Sequence, residues 1–389
     1  MNINDRPAQP RLGLVLSGGG ARAAYQVGVL RAISSMLPAD APCPFKIICG
    51  TSAGAINATV LAANASNFRQ GVRQLMTVWK NFHVNHIYRS DPLGVIHNSS
   101  KWILGALTQG LGKETAVSLL DNSPLGQLVG KRLDYPAIQR SIDSGDLYAF
   151  SITCSGYTSG ESVTFYQGVP GLEPWRRARR IGIAAQIGPD HLLASSALPF
   201  IFPATRINRE YFGDGSMRQI APVSPALHLG AGRLFVIGVG RQLQREQERV
   251  KTESYPSLAQ IAGHCLNSIF LDSLEVDLER LQRINRTLSI MPRELREKNN
   301  MPLQEVDFRV ISPSEGLEKI AGRHVHELPR TIRTLLYTVG ALKKGGSNLI
   351  SYLLFEKGYC RALLKLGYED TMKQREELMK FLGYEACWL

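Results

Sequence analysis

The chain has 389 residues and no uninterrupted apolar run approaching the roughly 18–20 that a membrane-spanning helix needs, which argues against an integral membrane protein. Met1 to Pro10 is polar and proline-bearing, with no basic stretch leading into an apolar core. A cleaved secretion signal is therefore not expected. There is no internal repeat, no low-complexity tract and no collagen period. The six cysteines (43, 49, 154, 265, 360 and 387) include no C-x-x-C pair and no companion histidine spacing, so a zinc site is unsupported. A chain this long has no need of a disulfide framework, and the expectation is buried, reduced thiols in a cytoplasm. What is present is a large apolar fraction, 44% of residues against 20% charged, enough for a sizeable core and incompatible with a mainly disordered chain.

Acidic residues are also in deficit, and the formal net charge is +12. The surplus is uneven. Residues 1–240 hold 22 basic and 13 acidic side chains, and Trp175 to Arg180 (WRRARR) is the densest basic stretch. Such a surface attracts polyanions, either nucleic acid or anionic lipid headgroups, and charge alone does not choose between them.

Leu12 to Leu16 is a short apolar run without helical period. It ends in Ser17-Gly18-Gly19-Gly20, and a helical pattern follows through Ala21, Ala24, Val27, Leu30 and Ile33. Phe45 to Cys49 is a second short run, leading into Gly50-Thr51-Ser52-Ala53-Gly54 and a small-residue helix over 55–63. Strand, glycine turn and helix thus occur twice within about fifty residues, which predicts an α/β domain with a largely parallel sheet. Further strands are predicted at Leu147–Cys154, Ser162–Tyr166, Leu234–Gly240 and Val306–Ser312, with Tyr211–Ser216 as a turn. Arg241–Glu253 reads as an exposed linker, 264–290 as one amphipathic helix, and 330–389 as helical.

Gly50-x-Ser52-x-Gly54 has the form of a nucleophile elbow, and it falls between a strand and a helix as that motif demands. Flanking glycines let a substrate carbonyl approach, and a helix N-terminus points positive dipole at a developing oxyanion. The bland alternative is an ordinary strand-to-helix turn. The loop Gly18-Gly19-Gly20-Ala21-Arg22 fits either a dinucleotide turn or an oxyanion cradle of consecutive backbone N–H groups, with Arg22 adding positive charge or lying exposed in the first turn. A serine needs a base, and no histidine sits in an obvious motif. Asp214, in Gly213-Asp214-Gly215-Ser216, is a carboxylate in an apolar neighbourhood. Partial desolvation would raise its pKa toward that of a working base; the alternative is a plain Asp-Gly turn. If the base were a histidine, His228 or His264 would be the candidates.

Four blocks taken together, 12–30 (LGLVLSGGGARAAYQVGVL), 50–58 (GTSAGAINA), 194–207 (ASSALPFIFPATRI) and 211–227 (YFGDGSMRQIAPVSPAL), resemble the patatin-like phospholipases in order and spacing. The resemblance spans about 11–313 and implies a three-layer α/β/α sandwich with a mainly parallel sheet. It places a catalytic domain over 11–313 and leaves 314–389 as a helical C-terminal extension. It implies a Ser–Asp dyad without histidine: Ser52 as nucleophile in the elbow of Gly50 and Gly54, and Asp214 as base in the motif with Gly215 and Ser216. Gly18, Gly19 and Gly20 would form the oxyanion hole, with Arg22 nearby. Two departures stand out: Ala23 where the family often has glycine, and Ser216 where it usually has glycine or alanine. The implied activity is hydrolysis of acyl lipid or phospholipid through an acyl-enzyme, without metal or cofactor. No nucleic-acid partner is expected, and peripheral contact with a membrane from the cytoplasm is left open. Transfer to another acceptor, hydrolysis of another ester, or a silent lipid-binding role are the competing readings.

Overall fold

The computed structural model describes residues 10–91, 118–241, 255–299, 303–342 and 345–384. The linker expected at Arg241–Glu253 lies, after its first residue, outside the described residues.

Ten strands form one sheet: β1 (Leu12–Leu16), β2 (Ile47–Thr51), β3 (Ala149–Gly156), β4 (Ser162–Gly168), β5 (Trp175–Arg177), β6 (Arg180–Ala184), β7 (Thr205–Ile207), β8 (Glu210–Asp214), β9 (Arg233–Ile237) and β10 (Asp307–Ile311). The order is β10-β9-β1-β2-β3-β4-β6-β5, with β8 joining β3 and β7 joining β8. From β10 to β3 every pairing is parallel, and β3–β4 is an antiparallel pair.

The central strands bury both faces, which explains why they read as continuous apolar runs. Alternate residues feed two cores. Leu12, Leu14 and Leu16 of β1, with Phe235 and Ile237 of β9, point to one side. Val15, Leu234 and Val236 point to the other, against Leu274, Leu278 and Leu281. The first side is covered by α1 (Ala24–Met36), α2 (Ala53–Ala63), α3 (Phe68–Lys80) and the C-terminal helices, the second by the helix Ser273–Ile290, giving three layers.

The helices at Ser347–Leu353, Lys357–Met372 and Arg375–Leu382 pack into the larger core rather than standing apart. α1 and Lys357–Met372 cross at Gly28 and Gly367, where a Cβ on either glycine would overlap the other helix's backbone. Tyr25 of α1 donates to Asp370 across the same contact at 3.2 Å.

Two local expectations differ from the fold. The segment 211–216 is not only a turn: β8 ends at Asp214, and a short 3-10 turn follows. The helix expected over 264–290 begins at Leu258 and is interrupted by a π-helical turn at Ser268–Asp272, a widening that seats Phe270 against the glycine loop. The basic stretch 175–180, given no element by the sequence, forms the β5–β6 hairpin.

Candidate active site

β2 and β8 approach each other from opposite directions along the same edge of β3. β2 pairs in parallel up to Thr51–Thr153, and β8 pairs antiparallel starting from Cys154–Asp214. The two strands therefore meet end to end, and Ser52 and Asp214 sit at the junction. Gly215 is compulsory there, because a Cβ would overlap the Thr153 carbonyl.

Ser52 follows β2 and caps α2 with φ 56° and ψ −131°, a region costly to any residue with a side chain. The turn is held in place: the Ser52 N–H donates to Ser195 Oγ at 2.9 Å, and Ser195 Oγ–H donates to the Thr153 carbonyl at 2.7 Å. Thr51 Oγ1 donates to Gln219 Oε1 at 2.8 Å, and Gln219 Nε2 donates to Thr153 Oγ1 at 3.2 Å. Gly54 lets the start of α2 close onto the Leu16 and Ser17 carbonyls, and Gly50 fits under Ala55.

Asp214 has no exposed surface. Its Oδ1 accepts the Ser216 N–H at 2.9 Å. Burial pushes the carboxyl up to about 6, against the pull of the Ser52 hydroxyl and of Ser216. The Ser52 hydroxyl is thus close enough to stabilise the charged form, yet Oδ2 has no partner at hydrogen-bond geometry.

Gly18 and Gly19 lie between the end of β1 and the 3-10 turn Gly20–Ala23. Gly18 faces the Ser216 hydroxyl and the Phe270 ring, and Gly20 has φ +54° and abuts the Tyr352 carbonyl. Gly20 and Ser52 both border a cavity of about 700 Å³, whose walls are mainly apolar and include Ile56, Leu75, Phe82, Leu128, Phe202 and Phe355.

Arg22 is neither exposed nor aimed into this cavity. It is 2% exposed, and its guanidinium donates to Ser351 Oγ at 2.8 Å and to Asn267 and Asn348 at 3.4 and 3.5 Å. It stacks over the Tyr352 ring at 4.0 Å. Arg22 therefore ties the glycine loop to the C-terminal helices. Neither histidine candidate borders the cavity. His228 stacks on Trp175, and burial, with Arg177 and Arg180, lowers its pKa to about 4. His264 is exposed on the helix Leu258–Asn267. Among the described residues no cluster of three or more His, Cys, Asp or Glu is arranged to hold a metal.

Several residues escaped the sequence reading. Ser195 and Gln219 fall inside the quoted blocks but carry no motif of their own. Gln26 and Asn57 buttress the loop from below: Gln26 donates to the Ser17 carbonyl, and Asn57 to Gln26 and to the Ala23 carbonyl. Their only signal is a polar side chain on an otherwise apolar helix face.

A family model described as "Patatin-like phospholipase" matches residues 14–227. A curated relative, "cGAMP-activated phospholipase" of Pseudomonas aeruginosa (strain BWHPSA011 / Pa011), is 27% identical over 217 residues, 55% of this chain and 55% of that protein. The chain thus spans about half the length of that relative. Among solved structures, human GIVD cytosolic phospholipase A2 in complex with methyl gamma-linolenyl fluorophosphonate aligns with 98% of this chain and 60% of its own, at 12% identity and a TM-score of 0.42. VipD from Legionella pneumophila aligns with 94% of this chain and 67% of its own, at 12% identity and a TM-score of 0.34.

Proposed function

The chain belongs to the patatin-like phospholipase family, and on that premise we propose that it is a lipid acyl hydrolase of the phospholipase A or lysophospholipase type, with Ser52 as nucleophile and Asp214 as base. The observation that carries this reading is the end-to-end meeting of β2 and β8. It sets a strained serine, on the wall of an apolar cavity, beside a fully buried carboxylate with a spare oxygen.

Ser52 Oγ attacks the ester carbonyl carbon while Asp214 takes the hydroxyl proton. The carbonyl oxygen becomes an oxyanion, received by backbone N–H groups of the Gly18–Gly20 loop and by the positive end of α2. Collapse expels the alcohol, which leaves with the proton from Asp214, and an acyl-serine remains. Water then attacks the acyl carbon, giving its proton to Asp214. The acid is released, and the proton passes back to Ser52. The apolar cavity holds the acyl chain. Residues 11–313 supply the dyad and loop, and the helical segment 314–389 closes the cavity through Tyr352, Leu353 and Phe355.

The test is hydrolysis of a short-chain p-nitrophenyl ester and of mixed phospholipid vesicles, with chelator present, by wild type, Ser52→Ala and Asp214→Asn. Activity that collapses in both variants supports the dyad. Activity surviving in Ser52→Ala overturns it, and an inert wild type is resolved by whether a fluorophosphonate probe labels Ser52.

A further inference from the structure

The basic hairpin 175–180 finds no use in the chemistry above, yet strand register brings it to the catalytic end of the sheet. The rung immediately beyond Asp214 runs Gly213–Ser155–Ser162–Arg180–Arg177 across β8, β3, β4, β6 and β5. Arg177 and Arg180 thus lie at the level of the site, three to four strand spacings from β2, or about 14–19 Å. A second hairpin, β7–β8, extends the same end. Glu210 precedes Asp214 by four residues on β8, so the hairpin tip stands about 13 Å beyond the base along the strand. It carries Arg206 and Arg209, both exposed, and Arg218 lies exposed just after the 3-10 turn.

Few acids answer these charges, and one that does is Asp277, whose carboxyl feels the Arg180 guanidinium. Glu161 pairs with Arg176 at 3.0 Å, and Glu210 accepts the Thr158 and Ser159 N–H groups at 2.9 and 2.6 Å. Among the described residues, Arg177, Arg179, Arg180, Arg206, Arg209 and Arg218 have no ion-pair partner, and Arg180 Nε is buried without any hydrogen bond. Apolar side chains are set among the charges. Tyr157 and Tyr211, joined by a backbone hydrogen bond, are each 49% exposed, and Ile220 and Phe200 reach 56% and 76%. Ile220 follows Gln219 of the elbow network, and Phe200 lies between cavity-wall residues Leu198 and Phe202.

We propose that this arginine-studded end of the sheet, built from the β5–β6 and β7–β8 hairpins, is the surface by which the protein docks on an anionic lipid bilayer. Guanidinium groups meet the lipid phosphates while tyrosine, isoleucine and phenylalanine tips enter the headgroup layer. The apolar tips and the apolar cavity at the same end favour a bilayer over a nucleic acid, which would use the charges alone. The proposal deepens the lipid-hydrolase reading and rests on it for what the docked protein does there. Docking itself is measured without turnover.

The experiment is vesicle co-sedimentation in the Ser52→Ala background, using phosphatidylcholine vesicles with and without phosphatidylglycerol. Binding to the anionic vesicles is expected, with little to the neutral ones, and loss as salt is raised. Removing an arginine near the surface is expected to weaken partitioning about fivefold, so Arg177→Gln/Arg179→Gln/Arg209→Gln should lose about a hundredfold. An unchanged melting temperature shows that this variant folds, and Arg206→Gln/Arg218→Gln carries the test if it does not. Lys46→Gln, at the start of β2 on the opposite end, should bind as before. Equal binding to neutral vesicles, undiminished binding of the arginine variants, an equal loss in Lys46→Gln, or preference for an oligonucleotide over the vesicles would overturn the proposal. Absence of both hydrolysis and fluorophosphonate labelling of Ser52 in the unmutated protein would strike the function and leave this result intact.

Discussion

Asp214 is fully buried, and that burial pushes its carboxyl up from the ordinary 3.8 to about 6. The proposed role as base requires the ionised form, so kcat/KM for a soluble ester should rise with pH through about 6 and then level off, with no second ionisation of a histidine type. The same shift has a stability sign. The folded state holds the proton more tightly than the unfolded state, so stability falls as pH rises from about 4 to about 6. Above that window the cost is constant, about 3 kcal/mol. Asp214→Asn should therefore abolish turnover yet melt higher than wild type at pH 7, with the difference vanishing near pH 4. A melting series across that range decides it. Ser52 offers a companion test. Its φ of 56° is tolerated by glycine, so Ser52→Gly should be inactive and more stable by about 1–3 kcal/mol in urea unfolding.

At the level of elements, legibility followed periodicity. β1 and β9 announced themselves because burial on both faces makes every residue apolar, and the elbow was readable because β2 and α2 follow each other directly. β8 was not. Its glycines, which the Thr153 carbonyl and the Tyr157 ring require, are also the residues that mark turns. The β5–β6 hairpin was hidden for another reason: an edge pair with arginine on it looks like a solvated loop. Arg22 was legible as a charge near the oxyanion loop but not as a tether, since its partners lie 245 to 329 residues away. Arg22→Met should cost about 3 kcal/mol by removing the donor to Ser351 and Asn348 and leaving Asn267 with only the Tyr352 hydroxyl. It should also lower kcat more than it raises KM, because the loop it anchors carries the proposed oxyanion donors. Arg22→Lys should recover little, having no planar fork to reach several acceptors at once.

For the whole molecule, the question is what the C-terminal helices are to the site. The four sequence blocks stop well before them, and nothing in their composition betrays a catalytic connection. Their packing does. Tyr352, Tyr359, Leu363 and Leu364 are essentially buried, Gly367 is closed onto Gly28, and the Tyr352 carbonyl rests on Gly20 of the oxyanion loop. Removal would strip the outer faces of α1 and α3, expose a contiguous apolar surface, and leave the loop without the contact that fixes its positive-φ glycine. A chain ending at 313 is therefore expected to be insoluble or aggregated, even though it contains both dyad residues. A milder lesion separates folding from chemistry. Gly367→Ala forces α1 and Lys357–Met372 apart by the width of a methyl group, and overpacking of this kind costs about 1–3 kcal/mol. The variant should fold, cleave more readily under limited proteolysis within 345–384, and lose activity toward a soluble ester because Gly20 moves with Tyr352. Full activity alongside increased proteolysis would mean that the helices merely cover the core. Lost activity together with increased proteolysis would show that the glycine loop is set from the far end of the chain.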